Sequence, residues 1–239
     1  MTEKIKITNT GPLIVELVWP ATTDENILME MVCCKRSLQK HYKGKLQSIT
    51  GGYHILGLHF KLPQKIKEIT NEIKHILGKL TLPDSPQRTC WEIPVCYDKA
   101  LAPDLETYLK KKKLEYNEFV SMHSGKRYLL HFFGFLPGFM YLGGLDKNLF
   151  CPRKPVPSRV IAKGTVAIGG SQTGIYPADS PGGWYALGKT PVEIFAPRKN
   201  IFPGFSPGDL IQFKPIDRKT FDELKENPDL KIKRDKPDG

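Results

Sequence analysis

The chain has 239 residues, enough to bury a sizeable core in one or two domains. Its 40% hydrophobic and 26% charged content is that of a globular protein and excludes a disordered or low-complexity chain. A net charge of +11 raises nucleic acid or a membrane surface as partners, but the excess lies in scattered lysines and in the run Lys110–Lys113; without an arginine patch interleaved with aromatics, neither partner is expected.

Lys4–Thr8 and Leu13–Val18 are short β-prone runs separated by the turn signal Asn9-Thr10-Gly11-Pro12. Thr22-x-x-Glu25 has the form of a capping box, and Ile27, Leu28, Met31, Cys34 and Leu38 follow at helical spacing. Leu46–Thr50 and Tyr53–Phe60 read as strands around Gly51-Gly52. Pro63 then opens a second amphipathic helix with Ile66, Ile69, Ile73, Ile76, Leu77 and Leu80 inward. The order β-β-α-β-β-α predicts an α+β domain over residues 1–86, closed by the breaker Pro83-Asp84-Ser85-Pro86. His41, His54, His59 and His75 have no metal-ligand spacing, and no metal is expected.

Beyond the breaker, Trp91–Tyr97 reads as a strand, Asp104–Lys113 and Tyr116–Met122 as helices, and Lys126–Phe133 as a strand. Val192–Phe195 and Leu210–Phe213 are further short strands spaced by Pro-Gly corners, which predicts a β-barrel over residues 87–239. From Asp217 the chain is polar, with a helix and a frayed tail expected. The five cysteines are odd in number and never spaced C-x-x-C, and Cys33-Cys34 sits in a helical pattern. With no apolar leader in MTEKIKITNT, these cysteines point to a reducing, cytoplasmic setting. The charge-free run Tyr128–Leu145 is long enough for a membrane span, but it carries His131, Pro137 and four glycines and reads as turn chemistry.

Gly134–Pro191 holds 11 of the 21 glycines, seven of the 20 prolines and seven aromatics. Glycine at this density suits tight turns, positive φ or close approach to a ligand; a loop-rich β domain with tight corners accounts for the composition equally well. Asp146 and Asp179 are the acidic residues there, against Lys147, Arg153, Lys154, Arg159, Lys163 and Lys189. A cradle of backbone N–H groups with a few cations suits an anion or a developing oxyanion.

The stretches GFLPGFMYLGGLD (134–146), PRK (152–154), GGSQTGIYP (169–177) and SPGGWYALGKTP (180–191) resemble the family of 5-oxoprolinase B subunits. This family is also called allophanate hydrolase subunit 1 or carboxyltransferase domain, and it includes a histidine-kinase inhibitor. IPVCYD (93–98), PDLE (103–106), MHSGKRY (122–128) and PGDLIQF (207–213) extend the resemblance over residues 90–216. The chain departs from the family pattern at Lys189, where arginine is usual, and at Ala196, where aspartate is usual. The resemblance implies an N-terminal ferredoxin-like α/β sandwich followed by a cyclophilin-like β-barrel. It also implies the B subunit of an ATP-dependent 5-oxoprolinase, opening 5-oxo-L-proline to L-glutamate. Such a chain works with a C subunit in direct contact and with an A subunit, uses ATP in the assembled complex, and is inactive alone. Inhibition of a sensor histidine kinase and an allophanate- or urea-type amidohydrolase are the alternatives. An exposed patch of Phe135, Phe139 and Tyr141 is the candidate partner surface.

Several residues are then candidates for the chemistry. His123, at the family's His-Ser position, is a residue type that suits a general base or a polariser near neutral pH, although a capping or satisfied core histidine has the same sequence signature. Arg153, with Lys154 and Arg159 nearby, offers a bidentate fork for a substrate carboxylate or a phosphate. Gln172, Thr173 and Tyr176 supply donors and acceptors beside Gly169, Gly170 and Gly174, whose backbone N–H groups suit a carbonyl turning tetrahedral. His123, Gln172 and Thr173 are thus the catalytic candidates, and Arg153, Gly169, Gly170, Gly174 and Tyr176 the substrate-binding ones. Gly183–Thr190 matches G-x-x-x-x-G-K-T, but a bulky aromatic loop running into Pro191 lacks the helix a phosphate loop needs.

Overall fold

The computed structural model describes residues 4–22, 24–83, 88–195, 204–226 and 233–235. The breaker residues 84–86, Ala196 and most of the C-terminal tail lie outside the described residues. The chain divides into two compact units, Met1–Pro86 and Gln87–Gly239.

In the first unit, β1 (Lys6–Gly11) pairs antiparallel with β2 (Ile14–Val18). Helix α1 (Glu25–His41) follows, then β3 (Leu46–Gly51), β4 (Ile55–Phe60) and α2 (Ile66–Gly78). The cap of α1 is Asp24, whose carboxylate accepts from the Asn26 N–H at 2.7 Å, in place of the expected Thr22 box. A carboxylate there also meets the positive end of the helix dipole. Leu28, Met31, Cys34 and Leu38 are buried as their spacing predicts, and burial pushes the Cys34 thiol up to about 12, the state of an inert core residue. On α2, Ile69, Ile73 and Leu77 are buried, whereas Ile66, in the first turn, is exposed. The β3–β4 turn closes with Gly52 N–H donating to Ile55 O, so Tyr53 and His54 belong to the turn rather than to a strand.

Strand order in this antiparallel sheet is β1-β2-β4-β3. Moving β1 from the front to the end converts β-β-α-β-β-α into β-α-β-β-α-β, so the unit has the ferredoxin-like arrangement. Val15, Leu17, Leu56, Leu58 and Phe60 alternate along β2 and β4 and meet the apolar stripes of both helices in one core.

The second unit opens with β5 (Cys90–Cys96), α3 (Leu105–Lys112), α4 (Tyr116–Ser124), β6 (Arg127–Phe133) and β7 (Met140–Gly143). After these come β8 (Ser158–Ile161), β9 (Thr165–Gly169), β10 (Gln172–Ile175), β11 (Ser180–Gly182) and β12 (Tyr185–Lys189). The last elements are β13 (Leu210–Ile216), α5 (Arg218–Glu226) and β14 (Lys233–Asp235). Seven strands form a closed ring in the order β12-β9-β10-β7-β6-β13-β5, with β5 returning to β12 through Cys96 and Lys189. Closure removes the free edges that an open sheet would expose. Strand β14 adds to β5 at its other end, a pairing that the polar tail sequence does not announce.

One motif acts as a brace. Asp209 accepts from Trp91 Nε1–H at 3.0 Å and from the Thr89 and Ser206 N–H groups, which ties the start of β5 to the approach to β13. Residues 191–195 are not a strand as expected: Val192 N–H turns back to Thr190 Oγ1, and Val192 and Ile194 pack into the core from a loop.

Candidate functional site

The period-2 alternation of three neighbouring strands sorts their side chains into two clusters. On β10, Thr173 and Ile175 point into the barrel, and Gly174 and the following Tyr176 point away from it. On β9, Val166 and Ile168 belong to the barrel core, whereas Ala167 and Gly169 face the other way. On β7, Met140 and Leu142 face inward, with Phe139 and Tyr141 on the opposite side. One wall of the barrel therefore carries two different environments.

Inside lies His123, fully buried at the last turn of α4. Its ring is stacked between Phe119 (centroids 5.4 Å) and Phe213 (5.0 Å). Thr173 Oγ1 donates its proton to Ala167 O at 3.0 Å, so it accepts from His123 Nε2–H, also at 3.0 Å. His123 Nδ1 then accepts from the Tyr97 hydroxyl at 2.9 Å. Every polar group in this chain of contacts is satisfied with a neutral imidazole, and burial holds the His123 pKa down at about 3. The structure does not favour the expected general base: the Nδ1 lone pair that would take a proton is occupied by the Tyr97 hydroxyl, and the ring is fully buried. Thr173 is likewise a core hydroxyl.

Outside, Phe139 sits at the centre of an aromatic cluster. Tyr141, Tyr176 and Trp184 meet it edge to face at 4.9, 5.0 and 5.4 Å. These rings, Phe135, Arg153, Pro157 and Pro181–Gly183 line a pocket of ≈ 270 Å³. The glycines predicted to approach a ligand make room for this cluster instead. A Cβ on Gly169 would fall within the Trp184 indole, and one on Gly174 would lie 2.5 Å from Met140 O and 3.2 Å from Trp184 Cζ3. Gly170 serves the two-residue β9–β10 turn, where its φ of 68° fits a primed hairpin. Gln172 is half-buried at the start of β10 and is not among the pocket residues. Of the eight predicted site residues, Arg153 and Tyr176 line the pocket, and His123 and Thr173 bond each other within the core.

Arg153 is the one charged residue among the described lining groups. Its guanidinium lies 6.0 Å from the Trp184 ring centroid. Its charge opposes the burial that raises the Tyr141 and Tyr176 phenols, the latter to about 12. The backbone on either side is fixed: Cys151 and Gly170 exchange N–H···O bonds at 3.0 and 2.7 Å, and Lys154 N–H donates to Gly183 O at 2.7 Å. Lys154 Nζ, expected to help clamp an anion, is committed elsewhere. It donates to Asp104 Oδ2 at 2.7 Å and to Ser158 Oγ at 2.6 Å, while Asp104 also accepts from Ala186 N–H. PDLE and PRK are therefore tied together as a brace.

At the mouth, Phe135 is 60% exposed and has a φ of 64°. A bulky side chain in the left-handed region is strained by about 1–3 kcal/mol, and such strain concentrates at ligand clamps. The sequence marks Phe135, Phe139 and Tyr141 only as a patch and gives Trp184 no role. The signal that could have found it is the shared parity of Ala167, Gly169 and Gly174, since small residues on one strand face leave room for a large partner. Gly183–Thr190 runs into β12 rather than wrapping a loop under a helix, so this segment does not fit the phosphates of ATP. Among the described residues no helix is long and apolar enough to cross a membrane.

The family model for the carboxyltransferase domain, subdomain C and D, matches residues 4–203. The 5-oxoprolinase B subunit of Bacillus subtilis (strain 168) is 36% identical over 183 residues, covering 75% of this chain and 76% of that protein. Among solved structures, TTHA0988 superposes with a TM-score of 0.74 at 27% identity over 85% of this chain. This chain spans 40% of that structure's length. The Kluyveromyces lactis urea amidolyase gives 0.76 over 97% of this chain and 16% of its own, at 16% identity, a likeness of fold alone.

Proposed function

The chain belongs to the carboxyltransferase-domain family, subdomains C and D, and from that premise we propose that it is the B subunit of an ATP-dependent 5-oxoprolinase. The observation that carries this reading is the 36% identity to a curated 5-oxoprolinase B subunit over three quarters of both chains. In the proposed reaction water opens the lactam of 5-oxo-L-proline to L-glutamate. A lactam amide is a poor electrophile, so the opening is coupled to ATP cleavage in the assembled complex. The A and C subunits are the partners, with C in direct contact, and ATP is used by the assembled complex; the phosphate-loop match in this chain lies in a strand. The aromatic pocket with a single cationic rim supports a chain that handles a small molecule.

The test is reconstitution. The purified chain with ATP and 5-oxo-L-proline should release neither ADP nor glutamate, and co-purified A and C subunits should restore both in equal amounts. Silence of the full assembly, or robust turnover by this chain alone, would overturn the reading.

A further inference from the structure

We propose that the pocket beside Trp184 is a binding site for a small, flat ring carboxylate, with the Arg153 guanidinium as its carboxylate anchor and the aromatic cluster as the bed of its ring. Three observations carry this. First, of the other cations in the glycine-rich stretch, Lys154 is paired with Asp104 and Lys163 with Glu193. Among the described residues no carboxylate pairs with Arg153. A guanidinium presents a planar fork that matches a carboxylate in bidentate fashion.

Second, the backbone that carries this exposed side chain is fixed. Cys151 is pinned to the β9–β10 turn and Lys154 to Gly183, so Pro152 and Arg153 between them sit on a backbone fixed at both ends. A fixed backbone and the Trp184 face beneath the guanidinium leave less to order on binding than a loop arginine would.

Third, the cavity has the chemistry of the rest of such a ligand. Its walls are aromatic faces and prolines, with no acidic residue among the lining groups to repel an anion. At ≈ 270 Å³ it suits a single small ring. The strained Phe135, edge-on to Phe139 at 5.7 Å, closes one side. Naming 5-oxo-L-proline as the occupant rests on the oxoprolinase reading; the pairing of ring and carboxylate does not.

The experiment is calorimetric or ligand-observed NMR titration of the full chain with 5-oxo-L-proline, L-proline, benzoate and 2-pyrrolidinone, the last being the lactam without its carboxylate. At least one ring carboxylate should bind, and Arg153→Ala should weaken it by at least about tenfold. Arg153→Lys should recover only part of that loss, because an ammonium offers no fork. Arg159→Ala, on an exposed strand outside the pocket, should stay within about twofold. 2-Pyrrolidinone should bind more weakly than 5-oxo-L-proline and without regard to Arg153. Binding of benzoate or L-proline through Arg153 without 5-oxo-L-proline would keep the pocket and remove the oxoprolinase substrate from it. A reconstituted, active complex whose KM is unchanged by Arg153→Ala would keep the function and overturn 5-oxo-L-proline as the occupant of the pocket. Absence of binding by every ring carboxylate, or equal binding of 2-pyrrolidinone and 5-oxo-L-proline, would overturn the pocket.

Discussion

The two sides of the β7–β10–β9 wall hold similar inventories and put them to opposite uses. Inside, His123, Tyr97 and Thr173 exchange hydrogen bonds until nothing is left unpaired, and the imidazole is kept neutral by burial. Outside, Arg153 stands over Trp184, paired with no carboxylate among the described residues, beside a cavity. A polar group whose bonds are all satisfied within the fold stabilises that fold. One that is held in place and left without a counter-charge is available to a ligand. Residue type does not separate the two, and partnering does.

The contrast between the two sides is tested hardest at His123. Replacing it with Leu orphans the Tyr97 hydroxyl and leaves Thr173 only its bond to Ala167 O, and should cost about 2–5 kcal/mol in urea unfolding. The pH dependence has a definite sign. The unfolded imidazole titrates near 6.5 and the folded one near 3, so between these values the unfolded chain binds a proton that the native chain does not. Stability is therefore fully present above pH 6.5 and should fall by on the order of 4 kcal/mol as the pH drops to 3. His123→Gln should flatten that limb, and an unchanged acid limb would mean that the imidazole is not sealed.

Next in size is Gly174→Ala, on the outer face of β10. The new methyl meets a backbone carbonyl, Met140 O, which cannot swing aside as a side chain would. A loss of about 1–3 kcal/mol is expected, together with loss of ring-carboxylate binding. Wild-type binding in this variant would show that the Trp184 bed is not the site. Asp104→Asn keeps an acceptor for Ala186 N–H but leaves Lys154 half-buried without its counter-charge, and should cost about 1–2 kcal/mol. The smallest effect on stability belongs to Arg153→Ala, within about 0.5 kcal/mol by thermal unfolding, although it should have the largest effect on binding. A large drop in Tm there would make Arg153 another brace, and the two sides of the wall would no longer differ.

Much of the fold is legible in order and composition. Leu28, Met31, Cys34 and Leu38 on α1, and Ile69, Ile73 and Leu77 on α2, are buried where their spacing places them. The strands expected at Trp91–Tyr97, Lys126–Phe133 and Leu210–Phe213 belong to the barrel, whereas Val192–Phe195 is a loop, and the other exceptions are local. Asp24 displaces Thr22 as a cap because the carboxylate reaches Asn26 N–H and also meets the helix dipole. Ile66 stays exposed because the first turn of α2 lies before the stretch that packs.

The candidate site is legible only in part. The chemistry of Arg153 and Tyr176 singles them out, and both line the pocket. Thr173 is a near neighbour of Tyr176 in sequence but not in surroundings, because positions an odd number apart on a strand face opposite ways. The room that Gly169 and Gly174 suggest for a ligand is filled by Trp184.

Local order along the chain dictates which segments become helices and strands, where the apolar faces lie, and which side chains carry charge. These properties depend on neighbours within a few residues. Which charges are cancelled is not written at that range. Lys154 finds Asp104 fifty positions away, His123 finds Thr173 across the same separation, and Arg153 finds no such partner among the described residues. Only closure of the barrel brings such distant groups within about 3 Å or keeps them apart, and at that range hydrogen bonding and desolvation decide whether a residue braces the fold or faces a ligand.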